Sequence, residues 1–454
     1  MAKTSDTIRV GLRISTIEGT FATIHIVLTS GAFLTGYALM LGANAFQIGI
    51  LAAIPFIAQI FQILSAILVE KVRKRKNISL LAVVLSREVW IFLIFLPFVS
   101  FIPKQGKIVA FLIVIAFSSV FGVIAANAWL SWMSDMVPER IRGRYFGVRN
   151  SILAFTTMVT TVIGSIILDH FRATNREEDG FATLITIAAI AAGIAGFLLA
   201  KQPEPPMTGK LSKSILTAIL SPLQDRYFRK ILAFFFVWNA AVGFAAPFFS
   251  VHMIKNLNMS YTLISFYSIV PTGISILANR YWGKLLDRFG TKSTLLLNAF
   301  AIAFIPLIWL FPRKDFLLPL WFEAPFSGLT WAGFNLAAFN VPMTASPRIG
   351  RPYFLALFAI VTGIGFFIAS ILGGYIAQFL SNWHWHLDGI TLINLHLIFA
   401  LSAIGRLMSA FILLKVREPR EKGMMVMVQF MGYNLLKRLS LRSELFMAFR
   451  RKAK

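Results

Sequence analysis

What most constrains this chain is a series of apolar runs too long and too evenly apolar for a water-soluble core. Read in windows of about 20 residues, they fall near 14–41, 45–70, 78–102, 108–134, 145–170, 181–200, 230–254, 260–283, 293–312, 317–343, 353–380 and 390–414. Each can cross a hydrocarbon layer of about 30 Å. Inside such a layer no water pairs with backbone N–H and C=O groups, so a crossing segment must be a helix or part of a closed barrel. Runs this continuous predict helices, and the spacing predicts twelve. Composition agrees: 57% of residues are hydrophobic, 14% are charged and the mean hydropathy is +0.74. A soluble domain carries about a quarter charged residues.

The net charge of +25 suggests nucleic-acid binding until the positions of the charges are considered. Of 44 Lys and Arg, seven fall in the loops assigned to the outer side: Lys104, Lys107, Arg172, Arg176, Lys255, Arg313 and Lys314. Arg87 and Arg406 lie inside predicted helices, and the other thirty-five lie on the opposite side or at its boundary. Such an excess marks the cytoplasmic side, which places both termini there. The expected partners are therefore a lipid bilayer and not a nucleic acid, and the expected location is a cytoplasmic membrane. The N-terminus, M-A-K-T-S-D-T-I-R-V, has no cleavable signal pattern. With no cysteine, disulfides and thiol nucleophiles are excluded. No phosphate-cradling Gly-Lys-Ser/Thr loop and no metal-ligand spacing is present, so the expectation is no enzyme, no cofactor and no metal.

The chain also repeats itself. Phe326–Pro347 aligns without a gap to Phe117–Pro138, and Arg348–Phe354 (R-I-G-R-P-Y-F) matches Arg140–Phe146 (R-I-R-G-R-Y-F) after deletion of one residue. A half of six helices used twice gives units at 1–200 and 230–416. A proline-rich and basic linker at 201–229 would join them, and a basic tail at 417–454 reads as an amphipathic surface helix.

The loop after the eighth run, G-K-L-L-D-R-F-G-T-K (Gly283 to Lys292), resembles the signature G-x-L-a-D-r-x-G-r-k of the major facilitator superfamily. The same place in the first half keeps less of it: Ala66 replaces the first Gly, Glu70 the Asp and Arg73 the second Gly. D-x-x-P-x-x-x-R-G, from Asp135 to Gly143, resembles the family's loop between helices four and five. The likeness covers essentially the whole chain. It implies an all-α membrane protein of twelve transmembrane helices in two pseudo-symmetric six-helix bundles, rocking about a central site. It also implies a gating role for Gly283, Asp287, Arg288 and Lys292, and for Asp135 with Arg140, Arg142 and Arg144. The alternative is plain positive-inside loops with turn glycines.

Ionisable groups inside spans are expensive and usually functional. Glu18 is the candidate for proton coupling, and His25 shares its helical face seven residues on. Alternatively, Glu18 pairs with Arg13 or Arg9 near the cytoplasmic end. Arg87 with Glu88 reads as an internally satisfied pair, and Arg406 as a structural or snorkelling cation; an anion-binding role for either is the alternative. In the helices that line the cavity of this fold, Asn127 and Ser131, Trp238 and Asn239, and the stripe Ser327, Trp331, Asn335 are candidates for contact with a polar or amphipathic solute. Interhelical hydrogen bonding is the alternative.

These readings predict a monomeric secondary active transporter moving a small organic solute by alternating access, coupled to H+. The 44 phenylalanines tilt it toward export of amphipathic, drug-like compounds. Sugar or metabolite uptake is the alternative within the class, and a lipid translocase or a non-transporting sensor the alternative outside it.

Overall fold

Helices occur where the apolar runs place them: α1 Ile8–Met40, α2 Ala45–Val72, α3 Arg75–Phe98, α4 Lys104–Met136, α5 Glu139–Ala173, α6 Glu177–Lys201, α7 Arg226–Asn256, α8 Tyr261–Phe289, α9 Thr291–Ile308, α10 Leu318–Ala345, α11 Arg351–Phe379 and α12 Asn394–Leu414. The computed structural model describes residues 2–205, 221–346, 351–387, 390–415 and 422–433. Eleven of these helical stretches are long and apolar enough to cross a membrane. The remaining one, α10, has ample length at 28 residues, but Ser327, Thr330, Asn335 and Asn340 make it more polar.

Local sequence sets the ends and the breaks. Gly42, at φ +90°, turns the chain after α1, and Asn44 and Gln47 cap α2 reciprocally at 2.9 Å. Within α1 the helix breaks at Thr29–Ser30, followed by Gly31 at φ +58°. Pro55 precedes a break in α2 at Gln59–Ile60. Several helices begin a turn or more earlier than expected, α1 and α5 among them, and two stop short of an expected end. The ninth helix ends at Ile308 rather than near 312, after a break ahead of Pro306. The twelfth begins at Asn394, because Ile390–Ile393 (β2) pairs antiparallel with His384–Leu387 (β1). A further helix, α13 (Met424–Tyr433), lies within the expected tail. Met427 of α13 is fully buried in a cluster with Trp282, Leu285 and Phe289. Of the amphipathic linker stretch expected at 211–229, residues 221–229 form a short turn and the start of α7, while 211–220, the start of the second-half loop copy at Arg348, and the tail beyond 433 lie outside the described residues.

Helix packing repeats between the halves. α1 packs on α5 and α6, α3 on α4 and α6, and α2 on α4. In the second half α7 packs on α11 and α12, α9 on α10 and α12, and α8 on α10. The same two-fold relates the main contacts between halves, α2 with α11 and α5 with α8.

The halves close on the face opposite the termini. Asp169 of α5 accepts hydrogen bonds from the backbone N–H groups of Tyr261 (2.8 Å) and Thr262 (2.7 Å), capping α8 from across the divide. Arg172 donates to the Met259 carbonyl and to Asn258, and the Tyr261 hydroxyl donates to Glu177. A Cβ on Gly49 would stand 2.4 Å from the Ser370 carbonyl, so only glycine lets α2 approach α11 this closely. Toward the termini the α5–α8 pair separates. Ser265 still reaches the Thr161 carbonyl, but nothing lies within 4 Å of a Cβ built on Gly143, Gly147, Gly273 or Gly283.

Because the chain has no cysteine, Ser265→Cys supplies a single thiol between α5 and α8. Adding Asp169→Ala removes the cap on α8, worth about 1–2 kcal/mol. Labelling of that thiol by a water-soluble maleimide should then accelerate about 5- to 30-fold. An unchanged rate would mean Asp169 does not hold the face shut.

Candidate substrate and coupling site

Three charged side chains meet inside the first half, each from a different helix. Glu18 of α1 is 4% exposed. Its carboxylate lies 3.8 Å from Arg87 Nη1 of α3 and 4.0 Å from Arg149 Nη2 of α5. These separations are too long for hydrogen bonds. The carboxylate is thus held by Coulomb attraction between two guanidinium groups and locked to neither. Gly19 makes the approach from α5 possible, since a Cβ there would sit 2.5 Å from Arg149 Nη2. The Arg149 guanidinium lies 4.8 Å from the centre of the Trp129 ring, a cation–π contact.

A cavity of about 420 Å³ surrounds this group, lined by α1, α3, α4, α5 and Leu199 of α6. His25 borders it. Its Nδ1 lies 3.2 Å from the Ala188 carbonyl, which can only accept, so Nδ1 carries the hydrogen and Nε2 is left as the acceptor. The Trp90 indole stands edge-on to His25 and donates to Ser118, whose hydroxyl donates to the Ser86 carbonyl. None of the 44 phenylalanines lines the cavity.

Glu18 and His25 therefore share one cavity, as their spacing predicts. Glu18 pairs with Arg87 and Arg149, not with Arg13 or Arg9, and the expected Arg87–Glu88 pair gives way to this contact. The solute-contact candidates are placed elsewhere. Asn127 lines an adjoining groove with Pro55, Gln59 and Gln62, and donates to the Gln62 carbonyl. Ser131 supplies its carbonyl to Arg75. Trp238 is 2% exposed and stacked on Phe334 at 4.3 Å, with Trp331 packed edge-on, so this pair is core. Asn239 caps its own helix turn at the Phe235 carbonyl, and Ser327 turns toward Glu323. Asn335 is exposed and outside the cavity.

The two loops expected to gate are unequal. Asp135 pairs with Arg75, a fully buried side chain that also donates to the carbonyls of Ser131 and Pro205, both at 3.0 Å. Of the three arginines expected around Asp135, Arg142 donates to the Ser134 carbonyl, while Arg140 and Arg144 are exposed. None of them forms an ion pair with Asp135 among the described residues. Asp287 is exposed and forms no hydrogen bond or ion pair there, and it sits in the last turns of α8, not at a helix N-terminus. Gly283 has open space around it, and Arg288 lies 3.9 Å over the Phe430 ring of α13. Lys292, on the first turn of α9, borders a small pocket with Tyr227 and Thr344.

Sequence reasoning missed Arg75, Arg149 and Glu323. Glu323 of α10 is 2% exposed and bonded by the Tyr267 hydroxyl, with Ser327 and Trp309 reaching its carboxylate and Arg406 as its nearby cation. The available signal was charge matching among the few ionisable residues inside spans.

A profile of the Major Facilitator Superfamily matches residues 19–347 and again 240–430, and the chain belongs to that family of transporters. Among solved structures, a point mutant of the nucleoside transporter NupG superimposes with a TM-score of 0.71 at 14% identity, covering 90% of this chain and 100% of that one. A D-xylose–proton symporter gives 0.67 at 15% identity, covering 91% and 98%. A bacterial homologue of the human lysosomal transporter Spinster, inward-facing and occupied, gives 0.63 at 14%, covering 90% and 96%. No curated protein matches the sequence.

Removing the partner of a buried arginine leaves its donors without an acceptor. Asp135→Asn should lower the unfolding free energy by about 1–2 kcal/mol, less than for a fully buried pair because Asp135 is partly exposed. Asp287→Asn should stay within about 0.5 kcal/mol. Thermal melts of the two variants in one detergent check the contrast.

Proposed function

We propose that this protein is a secondary active transporter that carries a small organic solute through the first-half cavity, coupled to protons at Glu18. The observation that carries the reading is Glu18 itself: a buried carboxylate bordering a solute-sized cavity, between two guanidinium groups it does not hydrogen-bond. With a proton on Glu18 the two arginines lose their internal counter-ion, and with the proton gone they regain it. A single proton thus changes what else the cavity can hold. The closed contacts at Asp169, Tyr261 and Gly49, with α5 and α8 apart toward the termini, describe one of the two access states the mechanism needs.

Further support comes from the neighbours, which include a proton symporter and a nucleoside transporter. The basic, linker-bearing face is read as cytoplasmic, in a cytoplasmic membrane, by the positive-inside bias. The halves are read as units at 1–200 and 230–416, and the chain as a monomer. Asp135, Gly283, Asp287, Arg288 and Lys292 are read as parts of the gate on that face. The composition argument for exporting drug-like compounds loses its footing here, because the phenylalanines are absent from the cavity lining. Metabolite uptake becomes the better reading.

The experiment is proteoliposomes containing a pH dye, given solutes that raise the protein's melting temperature. Solute addition should acidify or alkalinise the lumen in step with solute flux. Glu18→Gln should abolish the proton signal and gradient-driven accumulation, while solute exchange at equal concentrations continues. Full coupling in that variant would remove Glu18 from the mechanism, and flip of labelled phospholipid without a gradient would favour a lipid translocase.

A further inference from the structure

The cavity around Glu18 is lined by more positive than negative charge. Arg87 and Arg149 are its cations, Glu18 is its one carboxylate, and His25 is the only other titratable side chain in the lining. Glu88, beside Arg87 on α3, turns toward Gly193 of α6. The lining also holds donors with nothing to bind: Arg87 Nη1, Arg149 Nε and Trp129 Nε1 are buried and have no hydrogen-bond partner. Buried N–H groups in native proteins are nearly always paired, so three orphans around one cavity leave room there for an acceptor.

We infer that the cavity binds a small organic anion. A carboxylate or phosphate head would sit between Arg87 and Arg149, and an apolar or aromatic body would lie against Trp90 and Trp129. The fork of a guanidinium matches both kinds of head, and the indole of Trp129 supplies a third donor. At about 420 Å³ the space lies toward the small end of ligand pockets, enough for a body of roughly one ring. A neutral sugar-like solute would leave the excess positive charge uncompensated in a low-dielectric interior.

The inference names the cargo class for the transport reading and rests on it only in treating the bound anion as cargo. It also supplies a reason for coupling. Ionised Glu18 is an internal anion competing for the same two arginines. A proton on Glu18 releases them, so proton and solute enter together, and one proton with one monoanion crosses without net charge.

Purified full-length protein is titrated with benzoate and phenyl phosphate, and with benzamide and benzyl alcohol as neutral matches, each to about 10 mM. Melting temperature and calorimetric binding are the readouts. At least one of the two anions should stabilise the protein and bind about tenfold or more tightly than its neutral match. Which of the two binds identifies the head group. Arg149→Gln should cost about tenfold or more in anion affinity. Glu18→Gln should keep or tighten anion binding. Should Arg149→Gln fail to fold, Trp129→Phe keeps a ring and removes one donor, and should weaken the anion alone. Equal effects of anions and neutral matches, or no effect of either anion, would overturn the inference. Charge-selective binding without solute-linked proton flux would instead sink the transport reading and leave the site. A neutral solute carried with Glu18-dependent proton flux would do the reverse.

Discussion

A charge inside a bilayer-spanning bundle is tolerated only in company. Desolvating a carboxylate or a guanidinium costs several kcal/mol, which attraction recovers only where opposite charge and hydrogen bonds converge. The arrangement around Glu18 follows from that rule. Helices α1, α3 and α5 each contribute one charged group at a similar depth, and Gly19 leaves room for the Arg149 guanidinium against the α1 backbone. The same rule explains Arg75. Its guanidinium, buried between the start of α3 and the end of α4, gathers Asp135 and the carbonyls of Ser131 and Pro205, which ties the start of the linker to the first half.

The two buried carboxylates are treated differently, and this breaks the symmetry of the duplication. Glu323 is held by the Tyr267 hydroxyl with Ser327 and Trp309 close by, deep in the second-half core. Glu18 borders open space and receives no hydrogen bond from either arginine. One half holds its buried carboxylate by hydrogen bonds. The other carries an unsaturated group that can respond to a proton or a ligand. Aromatic stacking of Trp238 on Phe334 belongs to the second-half core, where sequence reasoning had expected solute contacts.

Much of the fold was legible because its cause is one-dimensional. An apolar run of fixed length must be a helix, so the helices sit where predicted to within several residues, and a break at Pro306 and the hairpin at Ile390–Ile393 mark where two of them fall short. Glu18 and His25 were legible for the same reason: helical period places them on one face. The partners were not legible, because pairing depends on which helices touch. Arg87 read as a neighbour of Glu88 in sequence, yet the α3 helix turns its guanidinium toward α1. Arg149 sits a few turns into α5 and reads as one more basic residue until Gly19 brings the helices together. The polar stripe on α10 was visible, but its period cannot say whether a face meets a cavity or another helix.

The closed face and the cavity are joined by α5. Its far end is fixed to α8 by Asp169 and Arg172, its middle touches α8 at Thr161, and its near end carries Arg149 into the cavity. A helix this continuous, 35 residues with no internal proline, has no built-in kink along its length. Should α5 tilt within its own half as its near end nears α8, the Arg149 guanidinium would shift relative to Glu18 and Trp129. Such a tilt would tie the charge balance of the cavity to the opening of the halves. That is the physical form coupling takes when ligand and gate share a rigid element.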